Sequence, residues 1–189
     1  MITYENGTLH IDMQVKPRAA ARVISDILDN DYQAATTIPW TTVWQVKGNT
    51  VRSWISARTR INQPIPDEAV RDILYKGSAY DIRSITQYLR PSKTGINGIG
   101  PLMKIELEKV PPKRLDKIWK SVIYTYMGCS EPLVEYLPES FLPLALAIVE
   151  KRQSKIPAYD VSYISGLTST IKAINARFRK ELRQRTHQQ

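Results

Sequence analysis

The 189-residue sequence is poor in the residues that hold metals or form disulfides, with one cysteine and two histidines. Cys129 alone excludes a disulfide framework. Together with His10 and His187 it falls short of the roughly four Cys and His ligands of a structural zinc site, so no metal and no cofactor is expected. Long apolar runs are also missing. The longest, Phe141 to Val149, is interrupted by Pro143, whereas a bilayer-spanning helix needs about 20 residues. Met1 to Glu5 offers neither a basic nor an apolar leader region, which predicts no signal peptide and a cytoplasmic address. There is no repeat of fixed period and no low-complexity tract.

What is present is ordinary globular composition: 42% apolar and 24% charged residues, enough for one domain or two small ones with a real core. The charge is lopsided. Lys and Arg number 27 against 18 Asp and Glu, a formal net charge of +9. Such an excess favours a polyanionic partner, either nucleic acid or an acidic surface, and says nothing about fold.

Asn6-Gly7 is a type I′ turn signal, and Thr3, Thr8 and Ile11 suit strands, so residues 2–13 read as a β-hairpin. A lone hairpin is marginally stable and has to pack on something or pair with a second subunit. Pro17 opens a helix through Asp29. Two short helices follow within 37–60, then a proline-bearing connector over 61–66. Further helices are predicted from Asp67, over 80–89, 102–109, 113–126 and 141–150, and from Tyr159 to about Arg185. Pro111-Pro112 is read as a stop. The fold class expected is mostly α: a small N-terminal hairpin, a helix-turn-helix unit over 1–62, and a helical body over 63–189 with a long C-terminal helix.

The segment Ile38-Pro39-Trp40-Thr41-Thr42-Val43-Trp44-Gln45-Val46-Lys47-Gly48-Asn49-Thr50-Val51-Arg52-Ser53-Trp54-Ile55 resembles the helix-turn-helix of bacterial and phage regulators. Val46, Thr50, Val51, Trp54 and Ile55 fall in register with its turn and second helix. Gln45 stands where the pattern usually has Gly, and Thr41 where it has a small buried residue. The resemblance covers residues 37–60 only. It implies that the second helix lies in a DNA major groove and that its free face carries Lys47, Asn49, Arg52, Ser53 and Ser56, with Arg58 and Arg60 on phosphates. Arg can pair bidentately with guanine and Asn with adenine. The alternative is a plain helical hairpin; the tryptophans are core in both readings.

Ile96 to Ile105 resembles the hairpin of helix-hairpin-helix DNA-binding motifs, with Asn97 in place of the usual Pro. That would place the backbone around Gly98 and Gly100 on a phosphate, with Lys104 adding charge. A simple Gly-rich turn is the alternative, and no Walker A loop is present.

Val161, Ile164, Leu167, Ile171, Ile174, Phe178 and Leu182 form one apolar stripe along the last helix. Core packing, a dimer seam and a basic membrane-surface helix all fit such a stripe. A membrane role has no second anchor, so none is expected. Paired acids such as Asp67-Glu68 and Glu106/Glu108 sit at helix surfaces, and neither histidine has a local nucleophile, so no catalytic residue is assigned and enzyme activity is not expected.

These readings converge on a sequence-specific double-stranded DNA-binding protein, a transcriptional regulator that is a homo-oligomer, with a dimer favoured. A phage or plasmid source would suit its small size. The alternatives are a DNA-packaging or replication-initiation adaptor and a protein-interaction factor with a basic surface.

Overall fold

A computed structural model describes residues 2–5, 8–11, 16–89, 98–124 and 130–186. Among these the chain is mostly α, with eleven helices, one two-stranded hairpin at the N-terminus and a long C-terminal helix. It divides into two units, residues 1–70 with 91–97 and residues 71–90 with 98–189.

Unit 1 begins with β1 (Ile2–Glu5) and β2 (Thr8–Ile11), paired antiparallel with Thr3 opposite His10 and Tyr4 opposite Leu9. The Asn6-Gly7 turn lies outside the described residues. The hairpin's support is α1 (Pro17–Asn30), against which β1 packs. Then come α2 (Ala34–Thr37), α3 (Trp40–Val46) and α4 (Asn49–Arg60). All three earlier helices pack on α4. Its inward residues Thr50, Val51, Trp54, Ile55 and Ala57 are fully buried, as are Ile24 and Leu28 of α1. Trp54 donates its indole N–H to the Ile38 carbonyl at 2.8 Å. It lies tilted against Trp40, which stacks on Trp44 with centroids 5.3 Å apart. Trp40 and Trp54 are buried and Trp44 is half-buried.

α4 ends in a Schellman closure. Asn62 takes φ 57, a left-handed position that Asn tolerates better than most residues. The Gln63 N–H then reaches the Arg58 carbonyl at 2.8 Å, and the Asn62 N–H reaches that of Thr59.

Helix α5 (Asp67–Lys76) crosses the division between the units. Unit 2 continues with α6 (Ala79–Thr86), α7 (Gly100–Lys109), α8 (Pro112–Ile123), α9 (Ser130–Val134), α10 (Leu142–Gln153) and α11 (Val161–Thr186). Pro111-Pro112 does stop the preceding helix, since α7 ends at Lys109, and Pro112 is also the first residue of α8. Its missing N–H costs nothing in the first turn. Ser78 and Asp81 form a reciprocal capping box at the start of α6. Trp119 of α8 is fully buried and donates to the Ala145 carbonyl at 3.1 Å.

Arginines close the helix ends of unit 2. Arg114 donates to the carbonyls of Leu74 (2.6 Å), Ile73 (2.9 Å) and Gly77 (2.8 Å), satisfying the open end of α5. Burial lowers its pKa, opposed by the Asp81 carboxylate. Arg177 does the same for α9, donating to Val134 (2.7 Å) and Leu137 (2.8 Å) and pairing with Glu181 at 3.0 Å. Glu106, 4% exposed, accepts from Arg71 (3.1 Å), Tyr75 (3.2 Å) and Lys109 (3.4 Å). Burial by itself would raise its pKa; the three donors outweigh it and hold the carboxyl below the usual range.

The apolar stripe of α11 turns largely inward, against α9 and α10. Leu167 and Ile174 are buried, Ile164, Ile171 and Phe178 half-buried, and Val161 is exposed. Core packing within the unit therefore uses the centre of the stripe that the sequence also offered as a dimer seam.

Candidate nucleic-acid interface

The turn between α3 and α4 is two residues long, Lys47-Gly48. Both have positive φ: Lys47 at φ 55, ψ −153 and Gly48 at φ 67, ψ −139. This is backbone that L side chains rarely adopt. The helix-turn-helix pattern usually gives that freedom to a glycine at the position of Gln45. Here Gln45 remains helical and the reversal is made two residues later. Thr50, fully buried, fastens it by donating its hydroxyl to the Lys47 carbonyl at 2.6 Å. The Lys47 ammonium lies 4.6 Å from the Trp44 ring centroid.

The exposed line of α4 is Asn49, Arg52 and Arg60, with Ser56 half-buried. At spacings of three, four and four these four positions share one face. Two expected members leave it. Ser53 is buried, 7% exposed, because α1, α2 and α3 surround more of α4 than a simple helical hairpin would. Arg58 points to the unit's own backbone. It donates to the carbonyls of Pro64 (2.9 Å) and Ala35 (3.1 Å), and its guanidinium lies 4.9 Å from the Trp54 ring. Burial lowers its pKa. It ties the connector and α2 to α4, so its geometry is that of a structural group. Arg60 is exposed, stacks on the Tyr32 ring at 4.6 Å and donates to the Tyr32 hydroxyl.

Near the turn lie residues of α1 that the motif did not single out. A β-carbon built on Gly48 would lie 4.0 Å from that of Ala21, so the turn sits against the first half of α1. At the other end Arg58 and Arg60 reach Ala35 and Tyr32, beyond the end of α1. The start of α4 thus lies near the first half of α1, and the end of α4 near the segment that follows α1. The first half of α1 carries exposed Lys16, Arg18 and Arg22; its second half and end carry exposed Asp26, Asp29 and Asp31. No acid lies in its first turn and no base in its last. This is the reverse of what the helix dipole favours. Arg18 and Arg22 stand three residues before and one after Ala21, on the half of α1 against which the turn packs. The inverted charge order along α1 is visible in the sequence and is the signal for these two arginines.

The Gly-rich segment behaves differently from its motif. Residues 91–97 lie outside the described residues. Gly98 is half-buried, while the N–H groups of Ile99 and Gly100 donate to the carbonyls of Tyr88 and Leu89, both at 3.0 Å. A β-carbon on Gly100 would lie 2.5 Å from the Tyr136 ring and 2.6 Å from the Leu89 carbonyl oxygen. Gly100 therefore serves close packing, and two of the N–H groups expected to hold a phosphate are already bonded within the unit. Lys104 lines a cleft of about 740 Å³ together with Glu108, Glu139 and Glu181, whose carboxylates set its surroundings.

Among the described residues no group of three or more His, Cys, Asp or Glu side chains could hold a metal ion. No described helix is long and apolar enough to cross a membrane. Compared with protein-family models, with curated proteins and with solved structures, the chain matches none.

Proposed function

We propose that this protein binds double-stranded DNA and reads sequence through unit 1, with the exposed line of α4 in the major groove, and that it regulates transcription by occupying its site. The observation that supports the reading is the packing of the Lys47-Gly48 turn against Ala21, in the basic first half of α1 with its exposed Arg18 and Arg22, beside an α4 that leaves Asn49 and Arg52 exposed. Asn49 and Arg52 are the types that read adenine and guanine edges, and the cations of α1 and the turn suit the flanking phosphates. A charge order that works against the helix dipole of α1 is understandable if a polyanion is bound there. A symmetric dimer would place two α4 helices about 34 Å apart on a palindromic site. Stoichiometry on DNA separates this from a ring-forming packaging adaptor.

The test is selection of bound fragments from random duplex DNA, followed by affinities of Arg52→Ala for the selected site and for random duplex. The expected loss is about 1–3 kcal/mol at the selected site and much less on random duplex. Recovery without any preferred sequence would overturn the reading, and so would an equal loss on both duplexes.

A further inference from the structure

The basic charge does not follow the helix-turn-helix. Unit 1 has eight Lys and Arg against seven Asp and Glu, net +1; unit 2 has nineteen against eleven, net +8. Part of the excess in unit 2 is internal, as Arg114 and Arg177 hold carbonyls and Arg71 and Lys109 hold Glu106. The rest includes a line on α8. Lys113, Lys117 and Lys120 are all exposed at spacings of four and three, opposite the buried Leu115, Ile118, Trp119 and Val122. One turn further on, Tyr124 is 55% exposed. The Arg152 guanidinium lies between the Tyr124 ring (4.7 Å) and the Tyr163 ring (5.4 Å), with its Nε donating to the Tyr163 hydroxyl. Exposed Lys151 and Lys155 flank Arg152 along the chain.

We infer that this face of unit 2, Lys113, Lys117, Lys120 and Arg152, is a second, sequence-independent contact for the phosphate backbone of duplex DNA. The choice of partner rests on the DNA reading above. Three features favour it over a merely solvated face. Lys113 lies in the first turn of α8, which contains no acid; a cation there is unfavourable to the helix and gains only from an anion outside it. On this line Lys120 pairs with Asp116 at 2.7 Å, and Glu150 is the exposed acid next to Lys151 on α10; Lys113 and Lys117 form no salt bridge of their own among the described residues. Arg152 is held between two rings and stays half-exposed, which lowers the entropy lost when it meets a phosphate. From Lys113 to Tyr124 the face runs about 16 Å at 1.5 Å per residue, along which a duplex presents a charge about every 1.7 Å. Unit 1 would then supply discrimination between sequences, and unit 2 affinity common to all of them.

The test is the salt dependence of binding to random-sequence duplex by the full chain, the triple variant Lys113→Gln, Lys117→Gln, Lys120→Gln, and a control triple Lys76→Gln, Lys109→Gln, Lys172→Gln with the same charge loss. Each lysine on a phosphate adds about 0.9 to the log–log slope. The face triple should flatten the slope by between roughly two and three. The control should flatten it by less than one, and the preference of the chain for its selected site should not change with the face triple. A slope equal to wild type, or an equal change in the control, overturns the inference while leaving the proposed function standing. Loss of slope in a protein that shows no preferred site keeps this contact and overturns sequence reading. No binding to duplex at all overturns both. The face triple should melt no lower than wild type; if it does melt lower, Lys113→Gln and Lys117→Gln carry the same test singly.

Discussion

The two units use positive charge in opposite ways. Unit 1 is nearly neutral in sum, yet the exposed cations of α1 lie in its first half and the exposed acids in its second half and end. Unit 2 holds almost all of the net charge, and directs much of it to its own carbonyls and to Glu106. A net charge of +9 argues for a polyanion at the level of the whole chain. Where a polyanion would be met depends on how the charges are arranged, and the unit whose α3 and α4 resemble a helix-turn-helix is the one with the small sum.

The largest effect that would break this comparison is on stability. If unit 2 uses arginine architecturally, Arg114→Ala should cost about 2–4 kcal/mol in denaturant unfolding, because three carbonyls lose a charged donor. Arg114→Lys should recover less than half, since an ammonium cannot fork to three oxygens. Arg58→Ala in unit 1 should cost about 1–3 kcal/mol, because two carbonyls lose their donor and the Trp54 ring loses its cation. A loss below about 0.5 kcal/mol, on the scale of ordinary surface substitutions, would mean that these guanidinium groups are available to ligands after all.

Glu106 sharpens the same point with pH. Its folded pKa lies below the ordinary carboxylate value, so its contribution is complete above the unfolded pKa of about 4.3 and is lost as pH falls through the folded value. Stability measured from about pH 7 down to about pH 3 should fall in that window. In Glu106→Gln the fall should be shallower, and Glu106→Ala should cost about 1–3 kcal/mol at neutral pH. The same slope in Glu106→Gln and wild type would show that other acids carry the acid sensitivity.

The smallest expected effect lies in the turn of unit 1. Lys47 occupies backbone suited to glycine, so Lys47→Gly should raise stability by about 1 kcal/mol while weakening the proposed DNA binding through the missing cation. A destabilised Lys47→Gly would mean that its stacking on Trp44 outweighs the backbone strain.

Most of the fold is legible because long helices with a buried face announce themselves by period: the sequence pattern places α1, α8 and α11 within a few residues of their ends. Helices α2 and α9, of four and five residues, are too short to show a period and leave no such signal. The exposure of Asn49 and Arg52 is legible through motif register. The neighbourhood of Arg18 and Arg22 is not, because only the tertiary packing of the turn on Ala21 ties their half of α1 to that turn. Ser53 is misread for the converse reason: a helical wheel gives its angle, and three neighbouring helices decide that this angle is inside. At Gly100 the sequence offers a free backbone, and packing against Tyr136 and Leu89 closes it.

The tryptophans give the molecule an optical partition. Three of the four, Trp40, Trp44 and Trp54, form one coupled cluster in unit 1, and Trp119 stands apart in the interior of unit 2. Lys47 and Arg58 lie on the rings of Trp44 and Trp54, so emission from the cluster is sensitive to whatever displaces or neutralises those cations. In a Trp119→Phe background the tryptophan fluorescence of the full chain, excited selectively over its tyrosines, becomes a label-free reporter of unit 1 alone. Ligand occupancy and melting of that half can then be followed in the presence of the other.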